Sequence, residues 1–197
     1  MNTMKLIGEK SISTILSKIL LIGCMGQLLY LGYLIFGFIV AYTNLHQETL
    51  FFSDIFKTGN FNNEVDNTVS NALAFQFSIP FSEAVIKGNF TFSTFTSILF
   101  FLGFYSLFTF YLFRIFKGMS TDIIFNKETI RYLRKFAFLN IIFIPIYSIV
   151  LYFIDQSVYS IDPMFILLHL ATGIIIIFII EFFKKGYELQ TQTDLTI

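Results

Sequence analysis

Four stretches of this chain are too long and too apolar to rest in water: about Ile19 to Tyr42, Thr94 to Phe116, Tyr132 to Ile154 and Met164 to Phe183. A helix crossing a hydrocarbon core of about 30 Å needs roughly 20 mostly apolar residues, and each stretch supplies them. Their central portions hold no Asp, Glu, Lys or Arg, because Arg114 and Glu181 fall near span ends, where long side chains reach the headgroups. Over the 197 residues only 13% are charged, against about a quarter in soluble domains. The pattern predicts an all-α fold, a four-helix transmembrane bundle forming one membrane domain over residues 1–197. The first stretch exceeds the 7–15-residue apolar core of a signal peptide, and "IVAYTN" is a poor cleavage site, so it reads as a retained anchor.

Lys and Arg placement sets the expected orientation, since positive charge accumulates in cytoplasmic loops beside the spans. Eleven of the thirteen basic residues lie in the N-terminal segment, in or beside the connection between spans two and three, and just after span four; only Lys57 and Lys87 lie in the other connections. Both termini are therefore expected in the cytoplasm, with an outer loop at 43–93, an inner loop at 117–131 and a tail at 184–197. Equal numbers of acidic and basic residues leave no net charge and no bulk field for nucleic acid. Abundant Phe, Ile, Lys and Asn beside a complete absence of Trp favour an AT-rich, bacterial source, and hence the bacterial cytoplasmic (inner) membrane.

In the outer loop, "GNFNNEVDNTVSN" has turn-rich polarity, whereas "LAFQFSIP" and "NFTFST" alternate apolar and polar residues as half-buried strands do. They could pair as a hairpin over "FSEAVIKG", leaning on the helices or the lipid for support. The alternative is an irregular loop whose Phe residues dip into the membrane interface.

Chemistry-bearing residues are few. His169, within the fourth span, could titrate or contact a ligand, or serve as a neutral imidazole bonded to a neighbouring helix. Gln27 and Asn140 read as interhelical hydrogen-bond partners. Gly23 and Gly26, and then Gly103, Ser106 and Thr109, place small side chains where helices can approach. Pro145 lies inside the third span and Cys24, the only cysteine, inside the first. His46, the other histidine, lies in the outer loop. No phosphate-binding loop, zinc motif or nucleophile elbow occurs, so the residues call for no cofactor and no metal, and a non-enzymatic role is expected.

The segment "RIFKGMSTDIIFNKETIRYLRKFAFL" is the richest in signals. Asn126 is placed to cap a helix whose first turn carries Glu128, and Arg131, Arg134 and Lys135 follow where anionic headgroups or a cytoplasmic partner could meet them. The chain ends in "KKGYELQTQTDLTI". Four spans, the inner-loop residues Phe125, Asn126, Glu128, Leu133 and Arg134, and this ending resemble the bacterial membrane proteins called domain of unknown function 2975. The closing motif of that family falls here on Lys185, Gly186, Glu188, Leu189, Gln190, Asp194, Leu195, Thr196 and Ile197, while Thr191, Gln192 and Thr193 depart from the acidic character expected between its halves. The resemblance implies a membrane partner for small helix-turn-helix regulators. Asn126, Glu128, Arg131, Arg134, Lys135, Glu188, Asp194, Leu195 and Ile197 are then candidate partner-binding residues. Lys184 and Lys185 would stop the fourth span, and Gly186 would permit a break before a polar tail. Competing expectations are a small transporter or efflux component lined by Gln27, Asn140 and His169, and contact with copies of the same chain.

Overall fold

The computed structural model describes residues 5–60, 73–155 and 163–194. In chain order it holds α1 (Ile12–Gln47), β1 (Phe56–Gly59), β2 (Ala74–Ser78), β3 (Val85–Asn89), α2 (Phe92–Met119), α3 (Lys127–Asp155) and α4 (Pro163–Asp194). All four helices are long and apolar enough to cross a bilayer, so the chain is a multi-pass membrane protein. At 1.5 Å per residue, the 36 residues of α1 reach about 54 Å, well beyond a core of about 30 Å. Each helix outruns its apolar stretch because helical hydrogen bonding continues wherever nothing breaks it, not only where lipid demands it.

The chain divides into two compact units, Met1–Leu28 with Gly103–Ile197, and Leu29–Leu102. In the first, Phe104, Leu139 and Ile144 form one buried cluster, and Ile115, Leu133, Phe136 and Ile180 belong to another. α3 meets α4 at Gly173, where a Cβ would stand 2.5 Å from Ile141 Cγ1 and 3.3 Å from the Ala137 carbonyl. The small residues expected to bring helices together act differently. A Cβ at Gly23, Gly26 or Gly103 would meet nothing within 4 Å, whereas Cys24 and Ser106 are buried and the Cys24 thiol lies 3.6 Å from the Ser106 carbonyl. Spacing alone does not say which face a neighbour takes.

The second unit replaces the expected hairpin with a three-stranded antiparallel sheet in the order β1-β2-β3. "LAFQFSIP" does supply β2, but its partners are β1 and Val85–Asn89; of "NFTFST" only Asn89 is strand, closing β3, and the rest leads into α2. Thr91 explains that outcome: its Oγ1 accepts the Thr94 N–H at 3.1 Å, a helix cap that overrides the strand-like alternation. β1 pairs Phe56 with Phe77 and Lys57 with Gln76. Phe56, Phe75 and Phe77 fill a core with Leu34, Phe38 and Ala41 of α1, while Lys57, Gln76 and Lys87 pair across the other face. "GNFNNEVDNTVSN", apart from its first two residues, lies outside the described residues, as does the short connection 156–162.

Candidate functional site

At the basic end of the first unit the chain builds a compact corner from three segments. Asn126 caps α3, its Oδ1 accepting the Thr129 N–H at 2.8 Å, while its Nδ2 donates to the carbonyls of Ile123 at 2.8 Å and Gly118 at 3.2 Å. One amide thus ties the α3 start to the whole turn after α2. Gly118 is required there, because a Cβ would fall 2.0 Å from Thr129 Oγ1. The segment before α1 closes the same corner: Gly8 N–H donates to the Met119 carbonyl at 3.0 Å, and Ser13 Oγ does so at 3.3 Å. These donors satisfy a carbonyl that the end of α2 leaves without a helical partner.

Charge is arranged around one ring. Arg114 pairs with Glu128 and lies 4.6 Å from the centroid of buried Tyr132; Arg131 and Lys135 stand over the same ring at 5.2 and 5.8 Å. Cations crowd here because the negative face of an aromatic ring offsets part of their repulsion. Arg131, Arg134 and Lys135 are exposed, so their charges are available to a partner or to lipid headgroups. A cleft of about 590 Å³ opens beside them, lined by Glu9, Arg114, Lys117, Asp122, Asn126 and Glu128 among others.

The tail is where expectation and structure part. α4 runs without a break from Pro163 to Asp194, straight through Gly186. Gly186 serves closeness instead of flexibility: a Cβ would stand 2.5 Å from the Phe125 ring, which also meets Phe183 edge-on at 5.3 Å. Lys127 Nζ lies 5.6 Å from the Tyr187 ring centroid. Inner loop and tail therefore touch, through Phe125, Gly186 and Tyr187. From Lys184 the helix continues for ten residues, about 15 Å, and exposes Glu188 and Leu189. Asp194 ends the described helix; Leu195 and Ile197 lie outside the described residues. Candidate scanning by charge missed Phe125 and Tyr187 as contacts, and the signal available was a lone Gly in a strongly helical run, which often marks a seat for a bulky neighbour.

Deeper in the bundle Asn140 and His169 meet. Asn140 is 0% exposed and His169 5%. Asn140 Nδ2 donates to the Phe136 carbonyl at 2.8 Å, which leaves Oδ1 to face His169 Nδ1, also at 2.8 Å. An acceptor at that position assigns the proton to Nδ1 and makes Nε2 the acceptor of the neutral ring. Nε2 has no hydrogen-bond partner among the described residues. Phe104 and Phe165 wall the imidazole at 4.9 and 4.5 Å. No hydrogen bond among the described residues joins Gln27 to it, and Gln27 Oε1 is itself buried and unpartnered. Among the described residues no cluster of His, Cys, Asp and Glu could hold a metal ion. Comparison with protein-family models, with curated proteins and with solved structures finds no match for this chain.

Proposed function

We propose that this chain is a non-enzymatic membrane regulator or sensor whose basic end docks a cytoplasmic partner, a small helix-turn-helix regulator of the kind that the resemblance to domain of unknown function 2975 implies. The observation carrying this reading is the contact between the inner loop and the α4 extension, which turns two stretches far apart in sequence into one surface. That surface combines exposed cations at Arg131, Arg134 and Lys135 with exposed Glu188 and Leu189 on a helix. Mixed charge around an apolar contact suits recognition of a folded protein, with charge steering the encounter. Basic residues on this side match the rule for cytoplasmic loops, which supports placing both termini inside a bacterial inner membrane. The transporter alternative draws less support, because the Asn140–His169 pair is walled by aromatic rings and separate from Gln27 in hydrogen bonding.

Crosslinking and affinity capture from native membranes test the proposal, comparing the intact chain with a variant carrying Arg134→Glu, Lys135→Glu and Leu189→Glu. Recovery of a small DNA-binding protein with the intact chain, and its loss with the variant, is the expected result. Partner-free captures from both, together with unchanged transcription after gene deletion, would remove the regulator reading.

A further inference from the structure

The turn between β2 and β3 carries Phe81, fully exposed and at φ 63°, a left-handed backbone that bulky L residues rarely adopt. Among the described residues neither feature is repaid. A large apolar ring at an exposed turn, held in strained backbone, needs a partner beyond its own fold.

The second unit shows where that turn points. Tyr33 of α1 donates its hydroxyl hydrogen bond to the Ser78 carbonyl at the end of β2. Phe38, further along α1, packs on Phe75 and Phe77 in mid-strand. Tyr42 and Leu45, further still, share an apolar recess with Leu73 at the strand's beginning. β2 therefore runs backward along α1, and the turn that follows it lies level with Tyr33. The apolar run Ile19–Tyr42, about 36 Å long, outruns a core of about 30 Å, so its outer end stands among the headgroups and Tyr33, nine residues earlier, lies on the hydrocarbon side of that end. The turn thus reaches toward the hydrocarbon and not away from it. Because β1 pairs antiparallel with β2, the loop before β1 joins the turn at that same end, as the Ser78 N–H to Ile55 carbonyl bond of 2.9 Å confirms. That loop exposes Leu50, Phe51 and Phe52.

We infer that this end of the sheet is a bilayer wedge, with Phe81 inserted among lipid acyl chains at the headgroup boundary of the leaflet on the side of residues 43–93. The chemistry agrees on three counts. An exposed Phe ring gains by leaving water for the acyl chains. The turn ties down part of its own backbone, with Ile79 N–H donating to the Ala84 carbonyl at 2.8 Å, Ser82 N–H to the Ile79 carbonyl at 3.2 Å and Ala84 N–H to Ser82 Oγ at 3.2 Å, which lowers the cost of meeting lipid there. Lys57 and Lys87 flank Gln76 on the sheet face away from α1, cations matched to lipid phosphates, while the exposed carboxylate of Glu83 holds the turn at the boundary and out of the deeper core. The inference is independent of any cytoplasmic partner.

The test exploits the absence of tryptophan from the chain. Phe81→Trp, an exposed substitution, places a single fluorophore in the full-length protein, which is reconstituted in phosphatidylcholine–phosphatidylglycerol nanodiscs open to solvent on both faces. The expected result is blue-shifted emission, shielded from iodide and quenched about twofold or more when the lipid carries dibrominated acyl chains. Red emission quenched by iodide and indifferent to bromine would overturn the wedge in favour of a turn standing in water. Blue emission indifferent to both quenchers would overturn it in favour of a protein neighbour over Phe81.

Discussion

Replacing Asn140 with Leu tests the claim that one buried hydrogen bond joins α3 to α4. The substitution keeps approximate volume but removes the acceptor 2.8 Å from His169 Nδ1, leaving a donor with no partner in an aromatic enclosure where Nε2 already lacks one. Orphaning a buried neutral donor costs about 1–3 kcal/mol in soluble proteins. Within membranes, polar pairs average about 0.6 kcal/mol with a maximum near 1.7, because the separated helices also find partners. The full burial of both side chains and their fixed geometry place this pair toward the upper end, about 1.5 kcal/mol, or roughly a tenfold change in the unfolding equilibrium. Cys24 provides the assay: it is the sole thiol and is buried, so its labelling by a maleimide in graded denaturing detergent reports opening of the bundle. A double-mutant cycle with His169→Phe completes the measurement. Asn140→Leu is expected to be destabilised, and Asn140→Leu with His169→Phe to recover part of the loss, since no donor then remains bare. An Asn140→Leu protein as stable as the parent, or strictly additive losses in the cycle, would refute the assignment of a stabilising interhelical bond.

Two further outcomes follow from the basic corner. Gly186→Leu should displace Phe125, whose ring lies 2.5 Å from the new Cβ, and hydrogen exchange across residues 119–127 should quicken while α4 itself becomes a better helix; unchanged exchange would mean the loop has no seat on α4. In a Cys24→Ser background, Ser120→Cys should react with an impermeant thiol reagent only from the cytoplasmic side and Asn60→Cys, exposed after β1, only from the other, and the reverse pattern would invert the proposed topology.

The helices were legible in the sequence because the bilayer is a demanding solvent: any run of about 20 apolar residues has few other places to go. What lay beyond lipid was harder. The α4 extension escaped a charge-based reading since Lys184 and Lys185 mark a membrane edge but do not end a helix, and Gly186 costs only about 1 kcal/mol in helix propensity, which packing against Phe125 offsets. "NFTFST" shows the converse, where alternation mimics a strand until the Thr91 cap is recognised. β1 was hidden because "FKTG" is short and its identity depends on a register with residues 74–77 that no local pattern reveals. For the polar residues, sequence named Asn140 and His169 separately; their meeting required the helices' rotation, which apolar runs surrounded by lipid do not encode.

An unbroken α4 also has a mechanical meaning. Gly173 rests on Ile141 much as a beam rests on a fulcrum, and 21 residues, about 31 Å, separate it from Asp194. A swing of about 10° at that pivot would carry the far end through about 5 Å by the same rise per residue. With Phe125 clasping the beam at Gly186, the loop after α2 would travel with any such swing.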